Sequence, residues 1–156
     1  MTMGPVMSLG YLLTHSATIL LRQSDQVLQE RLGIGMSQFK ILMMLQQNPN
    51  VQQRRLAEFL GQTEASISRQ IKLLVEKNLL AIRVNPKSRR EHITVPTPKG
   101  MKMTDAAMEV LEQYHTPMLE RINEKQRQQM RESLRAFHEY ICTAGKPFAC
   151  DHPFDM

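Results

Sequence analysis

The stretch that most restricts the fold runs from residue 53 to residue 95. Residues 53–60 (QRRLAEFL) read as a short helix closed by Gly61, and a second helix follows from about residue 64 to residue 78, with Thr63 as its candidate N-cap. The turn between them has room for only three to four residues. Residues 80–84 (LAIRV) and 91–95 (EHITV) then alternate apolar with polar or small side chains, the period of half-buried strands. Residues 85–90 (NPKSRR) read as the turn between them, giving a β-hairpin with Lys87, Arg89 and Arg90 and no anion at its tip.

Two short helices joined tightly and followed at once by a basic hairpin is the order of a winged helix-turn-helix. In that arrangement the second helix enters the DNA major groove, and the hairpin reaches along the backbone or into the adjacent minor groove. The second helix has the faces for this. Ile67, Ile71, Leu74 and Val75 form an inward stripe and leave Glu64, Ala65, Ser68, Arg69, Lys72 and Glu76 outside. Ser66 and Ser68 can bond phosphate or base edges, Arg69 can fork onto guanine, Lys72 can neutralise a phosphate, and Ala65 can touch a thymine methyl. Taken alone, such a face serves equally well as a solvated surface. The neighbouring Lys87, Ser88, Arg89 and Arg90 favour DNA, because a narrow minor groove concentrates negative potential that a weakly hydrated guanidinium can enter.

Charge follows the same division. The 156-residue chain has a net charge of +5, yet residues 51–100 hold ten Lys/Arg against four Asp/Glu while residues 101–156 hold seven against nine. A basic middle between near-neutral flanks argues for a polyanion-binding surface. Twelve Met, five Phe, three Tyr and no Trp suit a helix-rich core better than a β-sandwich. The expected fold class is mainly α with a small β-hairpin wing.

The flanks read as helices. Leu9, Leu12, Leu13, Ala17, Leu20, Val27 and Leu28 recur at helical steps over residues 8–32, before Gly33 and Gly35, and residues 37–45 (SQFKILMML) form a short buried helix stopped by Asn48-Pro49-Asn50. Thr104, Ala107, Met108, Leu111, Tyr114, Met118 and Ile122 line a later long helix, which Pro117 is expected to kink. Asn123 and Gln126 have capping-box spacing and open a last helix with the stripe Met130, Leu134, Phe137 and Ile141. These stripes are wider than one small winged domain can cover, so burial in a homodimer partner is expected. The expected organisation is a helical dimerisation region from residues 1–34 and 101–143, a winged DNA-binding domain at 35–100, and a tail at 144–156. A two-fold dimer matches a pseudo-palindromic operator on double-stranded DNA.

The ordered strings Gln38-Phe39-Lys40-Ile41-Leu42, Leu56-Ala57-Glu58-Phe59-Leu60-Gly61, Ser66-Ile67-Ser68-Arg69, residues 73–80 (LLVEKNLL), Ser88-Arg89-Arg90 and Thr97-Pro98-Lys99-Gly100 resemble the MarR family of bacterial winged-helix transcriptional regulators. The resemblance covers about residues 8–143. It implies a triangular homodimer interlocked through the first and the last two helices, and a small-molecule effector bound between those helices and the DNA-binding lobe. Two positions depart from the family pattern. Ser88 replaces the acidic residue two before the wing arginine, Arg90, and Asn78 replaces the Gly before the first wing strand, although Asn also tolerates the left-handed conformation.

Other chemistry is sparse. His138 and Cys142 share a helix face and, with Cys150 and His152, offer two thiols and two imidazoles, a set suited to tetrahedral zinc or to thiol oxidation. A His and a Cys beside an apolar stripe more often pack at an interface. There is no Walker loop, no G-x-S-x-G, no H-E-x-x-H and no evident carboxylate pair, so neither an enzyme nor a cofactor is expected. A winged-helix module that binds protein instead would show a hydrophobic or acidic outer face at 64–76, which this sequence lacks. Residues 9–21 are too short and polar to span a bilayer, and no Lys or Arg precedes Arg22 as a signal peptide requires. With only two cysteines, a soluble protein of a reducing cytoplasm is expected.

Overall fold

A computed structural model describes residues 4–48, 51–85 and 88–142. Six helices and one antiparallel strand pair run through the described residues in the order α1 (Pro5–Leu32), α2 (Met36–Gln47), α3 (Gln53–Leu60), α4 (Glu64–Glu76), β1 (Leu80–Asn85), β2 (Ser88–Pro96), α5 (Pro98–Leu119) and α6 (Glu124–Ile141). This is the expected class, mainly helical with a small hairpin. α1 begins earlier than its apolar period suggests, because Pro5 occupies the first helical turn, where its missing N–H costs nothing.

Local chemistry sets most of the ends. Gly33 and Gly61 close α1 and α3 at φ 67° and 61°. Asn78 closes α4 at φ 57°, with its N–H on the Val75 carbonyl and the Leu79 N–H on the Leu74 carbonyl. That is a Schellman motif, and its usual apolar contact is supplied by Leu74 and Leu79, both buried. Thr63 caps α4 by accepting the Ser66 N–H at 3.1 Å, and Asn123 with Gln126 makes the reciprocal box that opens α6.

The core is built from all sides of the winged lobe. Ile41, Leu42 and Leu45 of α2 meet Leu56 of α3, Ile67 and Leu74 of α4, and Leu80 of β1. Leu28 of α1 and Ala107 of α5 join the same cluster, so the helices that flank the winged lobe are anchored in it. Two polar pins cross between elements. Asp25 on α1 accepts the Met36 N–H at 2.7 Å, capping α2 from outside where Gly35 has no side chain to do so. Ser24 on α1, itself buried, sits 3.0 Å from His115 Nε2 on α5.

The wing is fastened to α5 by residues 97–100. Thr97 donates its N–H to the Leu79 carbonyl at 3.0 Å and its hydroxyl to the Asn78 carbonyl at 2.8 Å, while Thr97 Oγ1 accepts the Gly100 N–H at 3.0 Å. A Cβ at Gly100 would run into the Leu79 carbonyl oxygen.

Three expectations are corrected. Residues 85–90 are not all turn, because β1 continues to Asn85 and β2 starts at Ser88. Arg89 and Arg90 therefore lie in the strand, within an irregularity: Val84 faces His92 but Asn85 faces Ser88, so the extra residues bulge out of the ladder. The long helix does not reach Ile122; it ends at Leu119, two residues after Pro117, which removes one of the hydrogen bonds that hold the last turn. The α4 helix stops at Glu76 rather than 78, because Asn78 turns left-handed.

Gly100→Ala should destabilise the fold by about 1–3 kcal/mol, because backbone at Leu79 cannot yield as a flexible side chain would. Asp25→Ala should cost roughly 1 kcal/mol by orphaning the first N–H of α2. Urea unfolding of the two variants checks both values.

Candidate nucleic-acid interface

The surface begins with α4. Burial of Ile67, Ile71 and Leu74 fixes the helix's rotation, and the opposite side is left to solvent. Glu64, Ala65, Ser68, Arg69, Lys72 and Glu76 are all exposed, as is the cap Thr63. Ser66 lies at the rim of this face and is half-buried. Its hydroxyl donates to Gln62 Oε1 at 3.1 Å, and Gln62 Nε2 donates in turn to Ser37 Oγ at 2.9 Å, tying the first turn of α4 to the first turn of α2. Gln62 and Ser37 carry no local sequence signal, since they are 25 positions apart.

The far end of α4 is held by cations. Lys77 Nζ donates to the Gly33 carbonyl at 2.6 Å and Lys99 Nζ to the Lys77 carbonyl at 3.0 Å, so the ends of α1 and α4 and the start of α5 are linked by lysines placed on helix C-terminal carbonyls. These two cations are occupied in positioning. Arg69 and Lys72 stand on the exposed face instead.

On α3, Arg54 and Arg55 both lie against Glu58, at 3.1 and 3.5 Å, with side chains 74% and 57% exposed. Pairs this exposed are weak and exchange readily for another anion. Arg83 on β1 is a further exposed cation, opposite Ile93 and flanked along its strand by Ile82 and Val84. The strand alternation that identified the hairpin treated Arg83 only as a solvent-facing position.

At the wing, Ser88, Arg89 and Arg90 begin β2, and Lys87 lies outside the described residues. The zinc or thiol set is divided in the same way. His138 stands on the last turn of α6 and Cys142 caps it, with the Cys142 N–H on the His138 carbonyl at 2.7 Å, whereas Cys150 and His152 lie outside the described residues. Among the described residues no three His, Cys, Asp or Glu side chains gather as a metal site, and no helix is long and apolar enough to cross a membrane.

Comparison with known proteins agrees with this geometry. Residues 32–91 match the model of the MarR family. A search among curated proteins finds no match. Among solved structures, a mutant MarR from E. coli superposes with a TM-score of 0.74 at 19% identity, covering 88% of this chain and 98% of that one. CouR from Rhodococcus jostii RHA1 bound to p-coumaroyl-CoA gives 0.70 at 22%, covering 87% and 95%. A Mycobacterium tuberculosis MarR family protein in complex with p-aminosalicylic acid also gives 0.70 at 22%, covering 83% and 97%. At these identities the likeness speaks for the fold, and over residues 32–91, from the end of α1 into the wing, the chain is similar to the MarR family of winged-helix regulators.

Proposed function

We propose that this protein is a cytoplasmic, dimeric repressor that binds a pseudo-palindromic operator in double-stranded DNA. In this reading it is released by a small molecule, or by a redox or metal signal. The observation that carries the proposal is the face of α4. Its apolar stripe is buried, and Ala65, Ser68, Arg69 and Lys72 stand free on a helix followed directly by a basic hairpin.

In this reading Arg69 reads a base edge, Lys72 neutralises a phosphate, and the wing places Lys87, Ser88, Arg89 and Arg90 at the backbone or the minor groove. Thr63 and Glu64, at the start of α4, come closest to the groove floor with Ala65 and Ser68. The dimer is supported by what the single chain leaves unburied. No residue of α6 is buried, Leu134 and Phe137 are 41% and 40% exposed, and Val6, Leu9, Tyr11 and Leu12 of α1 are exposed as well. Small-molecule release is supported by the solved complexes of the two relatives with p-coumaroyl-CoA and p-aminosalicylic acid.

Operator titration at several salt concentrations tests the division of labour. Arg69→Ala should lower affinity for the preferred sequence by about 1–3 kcal/mol and relax base preference at one position per half-site. Lys72→Ala should weaken all sequences alike and shallow the salt slope by roughly one unit for each phosphate it no longer neutralises. Arg90→Ala should cost more than Arg89→Ala; the reverse order shifts the wing contact by one residue. A flat salt response points to a protein partner instead of DNA.

The dimer is tested separately. Leu134→Asp with Phe137→Asp puts unpaired charges into the proposed interface and should yield monomer or unfolded chain by light scattering and circular dichroism. A double variant that stays folded and dimeric would sink the assignment of α6.

A further inference from the structure

Hydrogen bonds behind the recognition helix determine what one of its side chains can read. A serine hydroxyl has one hydrogen to give and two lone pairs to receive. The Ser66 hydrogen is given to Gln62 Oε1 at 3.1 Å. The Gln62 amide has its Nε2 on Ser37 Oγ at 2.9 Å and its oxygen end toward Ser66. The Ser66 backbone is fixed too, by its N–H on Thr63 Oγ1 at 3.1 Å. Ser66 is half-buried at the rim of the α4 outer face, one helical turn before the exposed Arg69.

We infer that Gln62 is a specificity-determining residue that acts through Ser66, leaving the serine oxygen as an acceptor that selects a base with an exocyclic amino group. The inference rests on the DNA-binding reading of α4. Phosphate oxygens, guanine O6 and N7, and thymine O4 are all acceptors and have nothing to give an oxygen whose hydrogen is engaged. Adenine N6 and cytosine N4 carry N–H groups in the major groove. Ser66 therefore favours adenine or cytosine over guanine or thymine on the strand it faces, at a position beside the one read by Arg69. Gln62 touches no base in this arrangement. It is a positioning residue, and its effect appears as base preference.

The experiment is selection of bound fragments from randomised duplex DNA by wild type, Ser66→Ala, Gln62→Met and Gln62→Glu, with thermal unfolding of each protein alongside. Wild type should prefer adenine or cytosine by about fivefold at one position per half-site, the worth of one net hydrogen bond. Ser66→Ala should lose that preference and keep the others. Gln62→Met, which frees the hydroxyl to donate, should flatten the same position or turn it toward guanine and thymine. Gln62→Glu, which keeps an acceptor for Ser66, should retain it. The assignment is overturned if folded Gln62→Met leaves the preference intact, or if Ser66→Ala weakens all sequences equally, as removal of a phosphate contact does. Should Gln62→Met not fold, Ser66→Ala still overturns the assignment if it weakens all sequences equally, and Gln62→Glu overturns it if the preference is lost in a folded protein. Wild-type protein that enriches no sequence at all overturns the DNA-binding reading of α4 itself, a different failure with a different signature.

Discussion

The carbonyl oxygen of Leu79 is where α4, the wing and α5 are joined. It accepts the Thr97 N–H at 3.0 Å and lies against Gly100 with no room for a Cβ between them. The N–H of the same residue closes α4 on the Leu74 carbonyl, and its side chain is buried in the core. One residue thus ends α4, starts the turn into β1, receives the end of β2 and sets the distance to α5. A shift of the wing cannot be absorbed locally, because a buried carbonyl that loses its donor leaves a desolvated acceptor. The angle between α4 and the hairpin, which in the proposed complex must match the geometry of two grooves, is held by backbone atoms rather than by flexible side chains.

The remaining orientation comes from polar contacts at helix ends, where unsatisfied N–H and C=O groups are available. Asp25 of α1 meets the start of α2, and the Ser37, Gln62 and Ser66 chain joins the starts of α2 and α4. Lys77 and Lys99 occupy the opposite ends, on the Gly33 and Lys77 carbonyls. The apolar core determines that the helices pack, and its side chains tolerate small rotations. Hydrogen bonds at both ends of α4 add to the burial of Ile67, Ile71 and Leu74 in fixing its rotation and slide, the variables that in the proposed complex decide which side chain meets which base. Asp25 also ties this network to α1, whose neighbouring Ser24 stands 3.0 Å from His115 Nε2 of α5.

What could be read from the sequence is what depends on neighbours within about four positions. Thr63, the Asn123 and Gln126 pair, Gly61 and the left-handed Asn78 are such cases, as is the inward stripe of Ile67, Ile71 and Leu74. What could not be read depends on the partner across the fold. The Asp25 cap spans 11 positions and the Gln62 to Ser37 bond spans 25. The bulge at Val84 and Asn85 is a property of two strands together, so alternation within either strand placed Arg89 and Arg90 in a turn when they belong to β2. Gly100 had a place in a family string but no visible reason for being glycine until the Leu79 carbonyl was set against it.

The faces left open follow from the same distribution of contacts. Each chain spends its interior on one lobe, with Leu28 and Ala107 as the points where α1 and α5 enter it. The first half of α1 and all of α6 extend beyond that lobe, carrying Val6, Leu9, Leu12, Leu134 and Phe137 into solvent. In the proposed dimer these faces are buried, and the folding of α6 is then coupled to association, because a helix with no buried residue of its own gains its stability from the partner. In that dimer the spacing between two copies of α4 is set by these helices. A ligand or an oxidation that altered their packing would change that spacing without touching any residue of the DNA-facing surface. With half-sites about one helical turn apart in the proposed operator, a change of a few ångströms at the helices would put one α4 out of register with its groove.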